Sequence, residues 1–288
     1  MAERITGHTE LIGLMATPIR HSLSPIMHNE TFAKLGLEYA YLAFEVGDGQ
    51  LEDAIKAIRA LGMRGSNISM PNKQTVIKYL DKLSPAAEMV GAVNTIVNDN
   101  GILTGHITDG TGFMLGLKQA DVNIIGKKMT LCGAGGAATA VCIQAALDGV
   151  SELSIFNRKD DFYKNAQRTV DIINEKTDCK ATLYDIDDKE SLRREILESA
   201  IFTNATGVGM KPLQGKSLIT DTTMLRSDLI VADTVYAPLE TELLKLAREQ
   251  GCKTVNGIGM MLWQGAAASK LWTGIEMPVD YIRELLFK

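Results

Sequence analysis

The fold is decided by the stretch Thr130-Leu131-Cys132-Gly133-Ala134-Gly135-Gly136-Ala137-Ala138. It joins a segment that predicts a strand over 129–132 to one that predicts a helix over 137–147. In this G-x-G-x-x-A pattern, Gly133 permits a tight turn, Gly135 lets the backbone approach a pyrophosphate, and Ala138 allows close helix–strand packing. The helix N-terminus adds free N–H groups and the positive end of its dipole. The stretch therefore predicts a dinucleotide-binding turn, with a ligand-free tight turn as the alternative.

Segments that predict strands and helices alternate on both sides of this turn. Between residues 110 and 258 we expect strands at 129–132, 153–157, 181–184, 201–204, 230–233 and 254–255. A regular β-α repeat is typical of a Rossmann-like, doubly wound parallel sheet. The sequence therefore predicts an α/β protein with a dinucleotide-binding domain over 110–258.

Residues 1–109 predict a second α/β domain. We expect strands at 11–16, 39–46 and 64–70, a helix capped by Ser24, and further helices after Pro71 and Ser84. Asp99-Asn100-Gly101 favours a hairpin, because Asn and Gly tolerate positive φ. A hairpin beside parallel strands gives a mixed sheet. Two amphipathic helices, at about 259–273 and 279–287, are expected to complete this domain, which then takes in about 259–288.

The composition excludes several classes of protein. The chain has 288 residues, 45% of them hydrophobic and 23% charged, which is typical of a soluble globular protein. A net charge of −5 argues against nucleic-acid binding, and no apolar run approaches the ~20 residues that cross a bilayer. The start, Met1-Ala2-Glu3-Arg4, lacks the apolar stretch of a secretion signal. We therefore expect a cytoplasmic protein that binds neither nucleic acid nor membrane.

The cysteines and histidines show no metal-ligand spacing. Cys132, Cys142, Cys179 and Cys252 are far apart, and the four histidines form no H-x-x-x-H pair. We expect buried, reduced thiols and no metal site.

Polar residues gather at predicted element ends in the N-terminal half. Ser22 and Ser24 place two hydroxyls at a helix start, which suits a small carboxylate but is also explained by capping. Asn67 and Ser69 end a predicted strand, and Lys73 follows within a predicted first helical turn, where a cation opposes the helix dipole. Lys73 is therefore a candidate functional residue, with an exposed lysine as the alternative.

Mixed charges follow the predicted strand 153–157. An acidic residue here would hold the ribose diol of NAD, whereas a basic residue would take the 2′-phosphate of NADP. The sequence has Arg158 and Lys159 beside Asp160 and Asp161. It favours NAD and leaves NADP open, with a solvated charge cluster as the alternative.

The order of these motifs resembles the shikimate dehydrogenase family, and most of all its quinate/shikimate dehydrogenase branch. The resemblance rests on the following segments, which span positions 22 to 266: Ser22-Leu-Ser-Pro25, Asn67-Ile-Ser-Met-Pro-Asn-Lys73, Gly91-Ala-Val-Asn-Thr95, Thr108-Asp-Gly-Thr-Gly112, Gly133-Ala-Gly-Gly-Ala137, Asn157-Arg158, Asn204-Ala-Thr206, Gly209-Met210, Val235-Tyr236 and Leu262-Trp-Gln-Gly-Ala266.

The resemblance implies roles for these residues. Lys73 and Asp109 would be the catalytic pair in a two-domain enzyme whose N-terminal domain binds the substrate. The substrate would be contacted by Ser22, Ser24, Tyr41, Ser69, Asn94, Thr108, Tyr236 and Gln264. The dinucleotide would be contacted by Gly133, Ala134, Gly135, Gly136, Ala137, Asn157, Arg158, Lys159, Asp160, Thr206, Val235 and Gly257.

The activity implied is reversible oxidation of shikimate to 3-dehydroshikimate with NAD or NADP, and of quinate to 3-dehydroquinate. Lys73 would act as the acid/base, or would stabilise the developing alkoxide as an ammonium ion. Ile107, Gly207 and Ala237 depart from the common family residues, whereas Asn72 and Lys159-Asp160 resemble the branch that accepts NAD. The alternatives are a dehydrogenase of an aminated shikimate or another cyclic polyol, and a non-catalytic dinucleotide-binding regulator. A homodimer is compatible with the sequence.

Overall fold

The computed structural model describes residues 5–287. Met1 to Arg4, on which the expectation about a secretion signal rests, and Lys288 lie outside the described residues. The chain divides into two compact units. The first comprises the residues up to Thr108 together with Leu262 onward, and the second is Asp109–Met261. Asp109, expected in the first domain, thus opens the second unit.

The first unit is built on a six-stranded mixed sheet. Its strands are β1 (Glu10–Ala16), β2 (Tyr39–Glu45), β3 (Gly65–Ile68), β4 (Lys82–Leu83), β5 (Thr95–Asp99) and β6 (Ile102–His106). Its helices within the first 108 residues are α1 (Ser24–Leu35), α2 (Leu51–Ala60) and α3 (Pro85–Val90), with a 3-10 helix at Thr75–Tyr79. The strand order is β2-β1-β3-β5-β6-β4.

The predicted hairpin makes this sheet mixed. Strand β5 runs antiparallel to both β3 and β6, while β1, β2 and β3 are parallel. Asn100 and Gly101 adopt φ of 54° and 91° in the connecting turn, as their residue types favour. The prediction of a mixed N-terminal sheet is confirmed.

The second unit is a doubly wound α/β fold. Its strands are β7 (Lys128–Cys132), β8 (Glu152–Asn157), β9 (Lys180–Asp185), β10 (Ile201–Asn204), β11 (Ile230–Asp233) and β12 (Lys253–Val255). Its helices are α4 (Asp109–Gln119), α5 (Gly136–Leu147), α6 (Tyr163–Lys176), α7 (Lys189–Glu198) and α8 (Glu242–Glu249). The order β12-β11-β10-β7-β8-β9, with every pair parallel, confirms the predicted Rossmann-like sheet.

The last two helices are α9 (Ile258–Thr273) and α10 (Val279–Leu286). Trp272, near the end of α9, is 2% exposed and donates a hydrogen bond from its Nε1 to the carbonyl oxygen of Ile96, at 2.9 Å. Gly65 leaves room for this indole, because a Cβ there would collide with both partners of the bond. The C-terminal segment is thereby packed into the core of the first unit.

Two predicted elements differ from the structure. The strand expected at 64–70 ends at Ile68, and the helix expected after Pro71 is the 3-10 helix Thr75–Tyr79. The residues between them form a turn in which the Asn72 N–H donates to the carbonyl of Ser69, at 2.9 Å.

Among residues 5–287, no helix combines the length and the apolarity that a membrane crossing requires.

Candidate functional site

Polar residues collect along one edge of the first unit's sheet. Because β1, β3 and β6 share a direction and β5 opposes them, the C-terminal ends of the first three lie beside the start of β5. The residues at or just beyond this edge, called here the polar edge, are Ser22, Ser24, Ser69, Lys73, Asn94 and Thr108. The topology therefore brings together six residues that the sequence analysis singled out.

Asn94 and Thr108 form a fixed pair at the centre of the polar edge. The Asn94 amide donates to the Thr108 hydroxyl at 2.9 Å, and the Thr108 N–H donates to Asn94 Oδ1 at 2.9 Å. Both residues are buried, and the Val93 N–H donates to the Lys73 carbonyl at 2.8 Å. Asn94 is thus oriented before any ligand arrives, on a segment bonded to the turn that carries Lys73.

Tyr41 does not line the surface of the polar edge, contrary to the prediction that it contacts substrate. Its side chain has no exposed area, and its hydroxyl donates to Asn67 Oδ1 at 2.6 Å. Burial raises the pKa of Tyr41, and a hydrogen bond from Ser24 partly offsets this. Asn67 in turn donates to the carbonyl of Asn94 at 2.9 Å. Tyr41 therefore lies beneath the edge and connects Ser24 with the Asn94 segment.

His28 stacks on the inner face of Tyr41, with ring centroids 4.5 Å apart. It is fully buried, and neither of its ring nitrogens has a hydrogen-bond partner among residues 5–287. Burial lowers the pKa of His28 to about 3. The residue is neutral at pH 7 and serves packing rather than proton transfer.

Two polar-edge residues, Ser24 and Lys73, do not occupy the helix positions predicted for them. Ser24 is the first residue of α1 rather than its cap; the cap is Leu23, and the Ser22 hydroxyl accepts from the Ser24 N–H at 3.2 Å. Lys73 lies in the turn before the 3-10 helix, so no α-helix dipole opposes its charge. Lys73 is half-buried.

The remaining predicted catalytic and substrate residues occupy other elements. Gln264 is half-buried on α9 and belongs to the first unit. Asp109 is the first residue of α4, and Tyr236 follows β11 and is 44% exposed. Both belong to the second unit.

The second unit contains a cavity of about 630 Å³ at the point where its strand order reverses. This switch-point cavity is lined by residues drawn from 133–135, 156–162, 186–192, 205–208 and 213–224. Open α/β sheets bind their ligands at such a reversal, at the carboxyl ends of the strands.

The glycine turn forms one wall of the switch-point cavity. Gly133 has a φ of 128°, and a Cβ there would lie 2.5 Å from the Ala205 carbonyl oxygen. Gly135 caps α5, and a Cβ on Gly135 or Gly136 would meet nothing within 4 Å. Gly133 is thus required by the fold, whereas Gly135 leaves space at a helix N-terminus, where a pyrophosphate fits.

The charged segment after β8 has an ordered arrangement. Asp160 Oδ1 accepts hydrogen bonds from the Asn157 amide at 3.1 Å and from the Phe162 N–H at 3.0 Å. Arg158, 77% exposed, lies 3.7 Å from the other carboxylate oxygen. Lys159 is instead paired with Asp185 at 3.2 Å. Of the charged residues in this segment, Arg158 and Asp160 therefore line the cavity, whereas Lys159 and Asp161 do not.

Seven predicted dinucleotide residues line the switch-point cavity: Gly133, Ala134, Gly135, Asn157, Arg158, Asp160 and Thr206. The predicted residues outside its lining are Gly136, Ala137, Lys159, Val235 and Gly257. Phe162 and the cavity wall formed by residues from 186–192 and 213–224 were not predicted from the sequence. An aromatic residue two positions after Asp160 was a usable signal for Phe162, whereas the wall depends on how loops fold back in space.

The four cysteines are buried and form no disulfide. Within residues 5–287, no three His, Cys, Asp or Glu side chains are grouped so that they could hold a metal ion.

Comparison with known proteins identifies the family. Residues 14–96 match the Shikimate dehydrogenase substrate binding domain, and residues 257–287 match the Shikimate 5'-dehydrogenase C-terminal domain. A protein named shikimate dehydrogenase (NADP(+)) from Listeria monocytogenes serotype 4b (strain F2365) is 71% identical over 287 residues, covering 100% of this chain and 99% of the relative.

Comparison with solved structures supports the same family. A crystal structure of shikimate 5-dehydrogenase from Listeria monocytogenes in complex with shikimate and NAD has a TM-score of 0.98 and 71% identity, over 100% of this chain and 99% of that one. Quinate dehydrogenase from Corynebacterium glutamicum in complex with NAD has a TM-score of 0.86 and 34% identity, over 96% and 98%. The chain belongs to the shikimate dehydrogenase family.

Proposed function

We propose that the chain is an NAD(P)-dependent dehydrogenase that reversibly oxidises shikimate to 3-dehydroshikimate. The observation that carries this proposal is 71% identity, over the whole chain, to a relative named shikimate dehydrogenase (NADP(+)). A crystal structure at the same identity contains shikimate and NAD. The buried thiols suit a reducing compartment, and we propose the cytoplasm.

The polar edge supplies groups that suit shikimate, a small carboxylate with ring hydroxyls. We assign the hydroxyls of Ser22 and Ser24 to the carboxylate. Ser69, Asn94 and Thr108, with Gln264 from α9, would bind the ring hydroxyls. The fixed Asn94–Thr108 pair supports this assignment, because groups oriented in advance lose little freedom on binding. Tyr41 would act through Ser24 rather than touch the substrate.

We assign proton transfer at the reacting hydroxyl to Lys73, with Asp109 as its partner. As an amine, Lys73 would take the hydroxyl proton; as an ammonium ion, it would stabilise the alkoxide that develops on the oxygen. Asp109 would be its partner at the reacting oxygen and would accept the hydroxyl's single hydrogen bond when Lys73 is an ammonium ion. These roles come from the family resemblance and are proposals for this chain.

The switch-point cavity fits a nicotinamide dinucleotide. The 133–135 turn would hold the pyrophosphate, Asn157, Arg158 and Asp160 would surround the adenosine ribose, and Thr206, Val235 and Gly257 would face the rest of the molecule. When bound, the dinucleotide supplies the hydride acceptor. Asp160 suits the ribose diol of NAD and Arg158 suits the 2′-phosphate of NADP, so we propose that both are accepted.

An absorbance assay at the reduced-nicotinamide band tests the function, with shikimate and quinate each combined with NAD+ and NADP+. We expect turnover of shikimate. Lys73→Met should lower turnover by at least ~10² while shikimate still binds, because the proton-transfer group is lost.

Lys78→Met is the matched control, since Lys78 is an exposed lysine of the neighbouring 3-10 helix that lies 4.8 Å from the Tyr79 ring centroid. It should keep normal turnover. Near-normal turnover of Lys73→Met would remove Lys73 from the reaction.

Quinate is the second candidate substrate. The observation in its favour is the fold shared with quinate dehydrogenase from Corynebacterium glutamicum, at 34% identity. Quinate oxidation in the same assay would establish it. Activity on another cyclic polyol alone would favour a different dehydrogenase of this family, and dinucleotide binding without any turnover would favour a regulator.

A further inference from the structure

Asp233 ends β11 and is 2% exposed. Its carboxylate accepts three hydrogen bonds from neutral groups. The Asn204 amide donates to Oδ1 at 3.0 Å, the Val235 N–H donates to Oδ1 at 2.9 Å, and the Thr241 hydroxyl donates to Oδ2 at 2.7 Å. Burial raises the pKa of Asp233, and the three donors oppose that shift. A buried carboxylate is costly, so its contacts need an explanation beyond packing.

The first contact fixes a loop of the switch-point cavity. A carboxylate can only accept hydrogen bonds, so the NH2 end of the Asn204 amide must face Asp233. The amide oxygen then points at Thr206, where it accepts from the backbone N–H at 3.0 Å and from the hydroxyl at 2.7 Å. The same NH2 group donates to the Val208 carbonyl at 2.9 Å. Asp233 thereby sets the conformation of 205–208, which lines the cavity.

The second contact, from the Val235 N–H, holds the segment that follows β11 in place. With its N–H bonded to Asp233, Val235 directs its carbonyl to the Gly257 N–H, at 3.0 Å. Gly257 approaches the Thr234 backbone so closely that a Cβ would collide with the Thr234 carbonyl oxygen. The turn before α9 is therefore held against the turn after β11. Two of the predicted dinucleotide residues, Val235 and Gly257, depend on this contact.

We infer that Asp233 is a positioning residue of the dinucleotide site, which orients Thr206 through Asn204 and orients Gly257 through Val235. The inference rests on the proposed function, since it assumes that a dinucleotide occupies the switch-point cavity. The third contact, to Thr241, has a different role. Thr241 caps α8, accepting from the Leu244 N–H, and is not itself among the residues that line the cavity.

This division of contacts provides a matched pair of variants. Asp233→Ala removes all three hydrogen bonds, whereas Thr241→Val removes only the helix-capping side of the cluster. Both should lower Tm. Asp233→Ala should weaken binding of NADP+ and NAD+ at least about tenfold, with the KM for shikimate changed less than about twofold. Thr241→Val should bind both dinucleotides within about twofold of the original chain.

Asp233→Asn tests orientation rather than charge. Its amide oxygen can accept from Asn204 and Val235, and its NH2 group can donate to a rotated Thr241 hydroxyl. We expect it to restore dinucleotide binding to within about threefold. If Asp233→Ala does not fold, Asn204→Ala takes its place, because it breaks the link to Thr206 and leaves Asp233 bonded to Val235 and Thr241.

Titration calorimetry of the full chain with NADP+ and NAD+ gives the readout. If the unmodified chain binds neither dinucleotide, the proposed function fails. If it binds, but Asp233→Ala, or Asn204→Ala in its place, binds equally well and only Tm falls, then Asp233 is merely structural and the inference is overturned while the proposed function stands.

Discussion

Under the proposed function, Asp160 and Arg158 would compete for the same part of the dinucleotide, and their balance should decide which dinucleotide is preferred. Asp160 is held rigidly by Asn157 and the Phe162 N–H. Arg158 is 77% exposed and only loosely paired, at 3.7 Å. A fixed carboxylate repels a 2′-phosphate and binds a ribose diol, whereas a mobile guanidinium can turn to meet the phosphate.

Asp160→Ser should therefore raise the ratio of kcat/KM for NADP+ to that for NAD+ at least about tenfold, and Arg158→Ala should lower it by a similar factor. Lys159→Ala is the control: Lys159 is paired with Asp185 and does not line the cavity, so the ratio should change less than about twofold. An unchanged ratio in Asp160→Ser would show that this carboxylate does not select the dinucleotide.

Tyr41 shows how far a residue's role can be predicted from sequence. Its strand was predicted, and so was its association with the substrate residues. The burial of its side chain could not be predicted from the sequence. Strand β2 lies at the edge of the sheet, and Tyr41 is buried there because α1 covers it. Asn29 of α1 bonds to both the N–H and the carbonyl of Tyr41, at 2.9 and 2.8 Å. Depth of this kind depends on tertiary packing rather than on alternation along a strand.

In the turn from β7 to α5, we expect Gly133 to matter for folding and Gly135 to matter for dinucleotide binding. Gly133→Ala forces a side chain into positive φ and against the Ala205 carbonyl, so it should lower the free energy of unfolding by about 1–3 kcal/mol. Gly135→Ala has an ordinary φ of −76° and open space around its Cβ. It should leave the free energy of unfolding unchanged and weaken dinucleotide binding at least about tenfold, because the methyl group would occupy the proposed pyrophosphate position.

Chemical denaturation and dinucleotide titration of the two variants measure these separate effects. Tight dinucleotide binding by Gly135→Ala would contradict the assignment of this turn to the pyrophosphate. Unchanged stability of Gly133→Ala would contradict the packing argument.

Elements with strong local signals were predicted almost without error. The strands at 201–204 and 230–233 have the predicted bounds, because each begins with two large apolar residues and ends at a polar one, Asn204 or Asp233. The segment 64–79 was predicted less well. The chain leaves the sheet after Ile68, so the polar residues that follow are not part of β3. The Asn72 side chain donates a hydrogen bond to the Val46 carbonyl at 2.8 Å, and a contact so distant in sequence cannot be predicted from local residue patterns. That irregular turn carries Lys73, so the least predictable element contains the proposed catalytic residue.

The two units differ in the groups that respond to acid. All four histidines belong to the first unit, where buried His28 has a pKa of about 3. In the second unit, burial alone would raise the pKa of Glu195, but hydrogen bonds from Lys128, Ser154 and Arg194 outweigh it and lower that pKa to about 2. The folded-state pKa of His28 lies below its ordinary value of 6.5, and that of Glu195 lies below its ordinary value of 4.5. As the pH falls, the unfolded chain therefore binds each proton at a higher pH than the folded chain does.

The first unit should therefore lose stability as the pH falls below 6.5, by up to about 1.4 kcal/mol per pH unit, and the second unit only below 4.5.

Trp263 and Trp272 are the chain's two tryptophans, and both belong to the first unit, so their fluorescence reports that unit alone. Circular dichroism in the far ultraviolet reports both. On acid titration we expect the fluorescence transition at a higher pH than the main loss of circular dichroism. His28→Leu should move only the fluorescence transition to lower pH, since the buried imidazole that the unfolded chain protonates is gone. Coincident transitions in the unmodified chain would mean that the units unfold together and that His28 does not set the order.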